Sequence, residues 1–240
     1  MGYWGNAPRF RMECLLIKKK IYIDAGHNFN LFNTGATGNG MREQDITYEV
    51  AYLLGNLIDK YFSIRLSRPT LTTNLGHDNN SAINARWQQA NDWGADYFLS
   101  IHVNDFKDGA ATGAGTFIAA TKQADRVFAQ TINDTYAQTM GLHNRGVKLD
   151  TQAATGSLGV LRNTNMPAAL IELAFINSNL QNPDIDILRY KRNQMASALA
   201  KGIFKYFDIV PRIVHDMPQF QPVVKSLANI IFSKLRFLFK

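Results

Sequence analysis

The stretch that decides the fold is INARWQQANDWGADYFLSIHVN, residues 83–104. Its first half continues a helix that begins near Ser81 and runs to Trp93, and residues 97–103 form the clearest strand of the chain. A helix feeding an almost wholly apolar strand is the repeat unit of an α/β layer fold around a mostly parallel sheet. Working outward, the alternation recurs on both sides. Upstream lie a strand over 15–24 closing on Gly26, a loop rich in Asn and Gly, and a helix over 43–61. In that helix Ile46, Val50, Leu53, Leu54, Leu57, Ile58 and Tyr61 fall at helical spacing and make one buried face. A short strand over 62–66 and an Asn-rich loop lead back to the central unit. Downstream come a strand over 116–120, a helix over 124–140, a brief extended piece over 158–162, an apolar strand over 168–175 and a long amphipathic helix over 184–206.

At 240 residues and 46% hydrophobic, the chain can bury one large core, so a single domain with an appendage is expected. We divide it into an N-terminal extension, 1–14, a domain, 15–210, and a basic amphipathic tail, 211–240, where the pattern changes after Pro211. Cys14 is the sole cysteine, which excludes an internal disulfide framework. The net charge of +7 favours polyanionic surroundings such as nucleic acid, anionic lipid or an acidic wall polymer. No interleaved basic and aromatic motif supports nucleic acid, and that partner is not expected. No apolar run approaches the roughly 18 to 20 residues of a membrane span. The opening residues lack the basic, apolar and small-residue order of a secretory signal, which leaves the export route open. In the tail, Leu227, Ile230, Ile231, Leu235, Leu238 and Phe239 share one helical face with Lys225, Lys234, Arg236 and Lys240 nearby. Two fates stay open for it: docking on a protein surface, its own domain or a second copy, or lying on an anionic wall or membrane surface.

In open α/β sheets ligands collect beyond the carboxyl ends of the strands, so titratable groups there are the first candidates for chemistry. Strand 21–24 delivers His27, strand 97–101 delivers His102, and strand 169–171 carries Glu172. Glu43 opens the first long helix, on the same side of the sheet. Two imidazoles and a carboxylate form a ligand set typical of catalytic zinc, with a fourth position left for water. A second carboxylate, free of the metal, is what a hydrolase then needs for proton transfer. Glu172 fits because it interrupts an apolar strand, where an unpaired carboxylate is costly and its pKa should rise. Blander readings exist for each residue alone. A strand-end histidine is more often structural, Glu43 suits a helix dipole, and Glu172 could pair with an arginine such as Arg162.

At these residues the sequence resembles the zinc-dependent N-acetylmuramoyl-L-alanine amidase family, the catalytic domains of autolysins, spore-wall amidases and phage endolysins. The resemblance runs over IDAGH (23–27), REQDITYEVAYLL (42–54), SRP (67–69), the stretch 83–104 quoted above, RGVK (145–148) and VLRNTNMPAALIELAFINSN (160–179). It implies a single α/β domain with a twisted, mostly parallel sheet flanked by helices on both faces. It implies Zn2+ held by His27, Glu43 and His102, Glu172 as the catalytic carboxylate, Asn163 as a substrate contact, and structural roles for Arg68 and Arg86. The first block departs from the family, whose histidine is usually followed by glycines, whereas Asn28, Phe29 and Asn30 follow here. His77, His143 and His215 match no ligand position and are expected on the surface or in loops.

The implied reaction hydrolyses the amide between N-acetylmuramic acid and the L-alanine of the peptidoglycan stem peptide, outside the cytoplasm at the bacterial cell wall. The missing signal pattern tilts the expected deployment toward release by a phage, over a host autolysin or a spore enzyme. Rival readings are a zinc peptidase or deacetylase acting on another peptidoglycan amide, and a non-catalytic wall-binding module.

Overall fold

A computed structural model describes residues 18–106, 109–179 and 182–211. The extension 1–14 and all of the tail 211–240 except Pro211 therefore lie outside the described residues, as does His215. The described residues up to Asp208 form one compact unit.

The central strand is β5, Tyr97–Asn104, and its residues Phe98, Leu99 and Ile101 are fully buried. Such a strand must be covered on both faces, which is the condition of a parallel sheet wrapped by helices. β1 (Lys20–Ala25) and β8 (Ala168–Phe175) flank it, both parallel to it. β4 (Ser63–Leu66) pairs parallel with β1 at one edge. At the other end β6 (Ala114–Ile118) pairs antiparallel with β8 and parallel with β7 (Asn144–Leu149). The strand order is β4-β1-β5-β8-β6-β7, a mostly parallel sheet with one antiparallel junction. A separate small hairpin joins β2 (Thr37–Gly38) to β3 (Met41–Arg42), within what reads as loop in the sequence.

Among the described residues, six helices surround the sheet. α1 (Glu43–Ile58) lies over the face that carries Ile23, because Gly55 brings its backbone close to the Ile23 and Ile64 side chains. α3 (Arg126–Met140) covers the same sheet face farther along, its Asn133 accepting a hydrogen bond from Thr116 of β6. α6 (Arg192–Tyr206) packs on α3, with Gly202 against the Ile132 backbone. The opposite face carries Tyr22, Phe98, Phe117, Ala168 and Leu170, buried together with Ala90 of α2 (Asn79–Trp93) and Val160 and Leu161 of α4 (Gly159–Arg162). α2 starts in a capping box between Asp78 and Ser81 and ends on the left-handed Gly94.

Three expectations need correction. The piece over 158–162 is a single helical turn, closed by hydrogen bonds from the Leu161 and Arg162 amides to the Leu158 carbonyl. The long helix over 184–206 is two helices, α5 (Pro183–Tyr190) and α6, broken where Lys191 leaves the helical region at φ −118° and ψ 29°. The edge strand β7 has no counterpart in the sequence reading. Its residues NRGVKL are half-buried or exposed, so no apolar run announces them.

Candidate metal centre

His27 follows β1 by two residues, and its backbone is left-handed, φ 69°, a strained conformation for a residue with a Cβ. The surroundings impose it. Arg86, buried on α2, donates to Asp24 Oδ1 at 2.5 Å, to the Ala25 carbonyl at 2.6 Å, to the His27 carbonyl at 2.5 Å and to Asn28 Oδ1 at 3.2 Å. One guanidinium therefore ties down the whole turn from 24 to 28. The Gly26 carbonyl is held from the other side by Thr47 Oγ1 at 2.7 Å, and Arg68 donates to the Gln44 carbonyl at 2.8 Å. Arg68 and Arg86 are thus structural, but Arg86 acts directly on the segment that presents His27.

His102 stands near the end of β5, in register with Glu172 on β8. Glu43 is the first residue of α1, and its buried carboxylate reaches under both imidazoles. His27 Nε2 lies 3.0 Å from Glu43 Oε1, His102 Nδ1 lies 3.1 Å from the same oxygen, and the two nitrogens are 3.1 Å apart. Amides of the chain hold the carboxylate in place: Val103 N–H donates to Oε1 and Ala36 N–H to Oε2, both at 2.9 Å. His27 Nδ1 faces Asn33 Oδ1 at 3.1 Å, which fixes a proton on Nδ1 and leaves Nε2 with a lone pair. Gly35 completes the cradle, since a Cβ there would stand 2.6 Å from both Glu43 Oε2 and the His27 ring.

Three ligand atoms on metal bonds of 2.0 to 2.1 Å in a tetrahedral arrangement stand about 3.3 Å apart. The triangle of 3.0 to 3.1 Å matches that spacing to a few tenths of an ångström. Two nitrogens and a carboxylate oxygen are also the donor set zinc takes, so the residues fit the ion. Electrostatics agree. Burial alone would raise the Glu43 carboxyl, but the two imidazoles outweigh it and hold the group well below the usual carboxylate range. Burial pushes the His102 imidazole down, toward the neutral, ligating form.

Glu172 differs in kind from Glu43. Its Oε2 is buried without a hydrogen-bond partner among the described residues. Burial, with the Glu43 charge added, pushes its carboxyl well above the ordinary value. The alternative pairing with Arg162 does not occur, because Arg162 is bound to Asp150. The structure thus gathers His27, Glu43, His102 and Glu172 at one end of the sheet. It does not bring Asn163 there. The Asn163 carbonyl accepts from Asn91 near the C-terminus of α2, beside the segment whose Pro167 carbonyl accepts from Phe98, at the start of β5 rather than its end. His77 and His143 are exposed, as expected. Asn33 escaped the sequence reading; the one available signal was the asparagine-rich loop, in which Asn30, Asn33 and Asn39 all adopt positive φ.

Residues 21–205 match the family model described as Amidase_3, N-acetylmuramoyl-L-alanine amidase. The chain belongs to this amidase family. The sporulation-specific N-acetylmuramoyl-L-alanine amidase of Bacillus subtilis (strain 168) is 34% identical over 187 residues, 76% of this chain and 64% of its own. The N-acetylmuramoyl-L-alanine amidase CwlM of Bacillus licheniformis is 33% identical, over 76% of this chain and 65% of its own. The chain thus spans 64% and 65% of the length of these two curated relatives. Among solved structures, the N-acetylmuramoyl-L-alanine amidase from Clostridium difficile 630 matches with a TM-score of 0.68 at 26% identity, over 80% of this chain and 98% of that one. In this amidase-family fold the His27–Glu43–His102 cluster occupies the carboxyl end of the sheet, where α/β folds place their ligands.

Proposed function

We propose that the protein is a zinc-dependent N-acetylmuramoyl-L-alanine amidase acting on cell-wall peptidoglycan, with His27, Glu43 and His102 holding the metal and Glu172 as general base. The observation that carries this reading is the 3.0 to 3.1 Å triangle of ligand atoms beside the half-buried Glu172, whose Oε2 is buried with no hydrogen-bond partner among the described residues. Family membership supplies the bond.

Zinc bound there would bring the pKa of a water to about 7 and polarise the scissile carbonyl. The protein's own groups do the rest. The Asn33 contact keeps the His27 ring in one tautomer and one orientation. The Val103 and Ala36 amides hold the Glu43 carboxylate in place, so the ligand set needs little rearrangement. Glu172 takes the proton of the attacking water and returns it to the leaving nitrogen, and its raised pKa suits both directions of that transfer. Pairing a carboxyl held low with one held high divides the work between ligand and base.

The test is Glu172→Gln on purified peptidoglycan. The variant should keep its fold and zinc and lose about 10²-fold or more in rate, as for a removed general base. New L-alanine amino termini in the wild-type digest identify the bond; new D-amino-acid termini or acetate would instead favour a peptidase or a deacetylase. Turnover near wild type by Glu172→Gln would overturn the mechanism.

A further inference from the structure

We propose that Arg145 and Lys148 form a cationic subsite, across the sheet from Glu172, that binds a carboxylate of the stem peptide two or three residues beyond the cleaved bond. The proposal rests on the amidase reading and adds a substrate feature that this sheet face selects. Register places these residues. Residues opposite one another on neighbouring strands project to the same face. Glu172 is opposite His102 on one side and Gly115 of β6 on the other, and Phe117, two residues after Gly115, is opposite Lys148 of β7. Arg145 lies beside Gly115, whose added Cβ would stand 3.3 Å from the Arg145 Cβ. One sheet face therefore carries, in order, His102, Glu172, a glycine floor and two cations.

Two strand spacings of about 4.8 Å put the Arg145 backbone about 10 Å from that of Glu172, the reach of about three extended residues. The Arg145 guanidinium lies 4.9 Å over the Phe175 ring, which holds it flat at the carboxyl end of β8. Among the described residues, one of its five N–H groups is used, on the Thr112 carbonyl at 3.3 Å. Among the described residues no aspartate or glutamate forms an ion pair with Arg145 or Lys148. Burial and the Arg145 charge both lower the Lys148 ammonium, as expected of two half-buried cations close to one another. A peptide carboxylate satisfies both, and a planar guanidinium takes it in bidentate fashion.

The probes are C-terminally amidated tripeptides beginning with L-alanine, with acidic second and third residues or their carboxamide counterparts, free and joined to muramic acid. Calorimetry should show the wild type binding the acidic tripeptide about tenfold or more tighter than the amide, a charge-assisted pair being about twice a neutral one. In hydrolysis, Arg145→Gln should lose about 10- to 100-fold in kcat/KM on the acidic substrate, mainly through KM, and little on the amide. Lys148→Gln should act in the same direction and more weakly, which guards against a folding artefact at position 145. Equal losses on both substrates, or no preference of the wild type for the acid in binding, would overturn the subsite. Preferential binding of the acidic tripeptide without cleavage of any muramoyl substrate would uphold the subsite and sink the amidase reading instead.

Discussion

At the scale of single residues, function here depends on where a few side chains are held more than on what they are. His27 would be an ordinary strand-end histidine without Arg86, whose four hydrogen bonds to the 24–28 segment fix its strained backbone. Buried ion pairs such as Arg86–Asp24 are weak evidence for stability, because desolvation offsets much of their attraction. Positioning is the better account of why this one is present. The ligand set gives a direct test. His27→Ala and His102→Ala should each cut zinc affinity by more than about 100-fold, beyond what loss of an outer-shell partner costs, while leaving the sheet intact. Metal analysis after dialysis against a chelator of known affinity reads this out, and stoichiometric zinc in either variant would refute the assignment.

At the scale of elements, the fully buried strands were legible and the half-buried ones were not. Residues 168–175 form β8 within the bounds read from the sequence, and 97–103 differ from β5 by one residue, because continuous apolar runs have a single reading at that length. β7 and the 158–162 turn failed for the converse reason: an edge strand with no alternation of apolar and polar residues and a five-residue turn carry too little periodicity. The break at Lys191 has neither proline nor glycine to announce it; apolar spacing runs on through Ile187, Leu188 and Met195 while the chain changes direction. Helix packing yields a prediction of its own. A Cβ on Gly202 would meet the Ile132 Cα of α3 at 3.0 Å, where carbon atoms prefer 3.5 to 4.0 Å. Gly202→Ala gains about 1 kcal/mol of helix propensity, which the contact largely cancels. Gly202→Val adds branches with nowhere to go and should cost about 2 kcal/mol or more, about 5 °C in Tm. A Val variant as stable as wild type in a thermal melt would show that α3 and α6 are not in this close contact.

For the whole molecule, the balance of buried charge sets its response to acid. Burial alone would raise the Asp24 carboxyl, but Arg86, His102 and the hydroxyls of Ser100 and Ser67 outweigh it and hold it below its ordinary value. Asp150 is likewise raised by burial and lowered further by Arg162 and the Ala120 and Leu158 amides. A carboxyl whose folded pKa lies below its unfolded value stabilises the fold above the unfolded value, and that stability disappears as pH falls through the folded one. The urea midpoint should therefore drop steeply below about pH 4, the unfolded carboxyl range. Glu172, shifted the other way, acts only above that range and does not mask the effect. A midpoint flat from pH 5 to 3 would contradict these two shifts. Sequence by itself determined the layer class and the four residues gathered at one end of the sheet, because buried strands and strand-end titratable groups are local features of the chain. Only the tertiary structure decided the antiparallel junction at β6, the separation of Asn163 from the cluster, the hold of Arg86 and Asn33 on His27, and the alignment of Arg145 and Lys148 with Glu172. These depend on which strands become neighbours and in what register, and that is settled by packing between segments far apart in the chain.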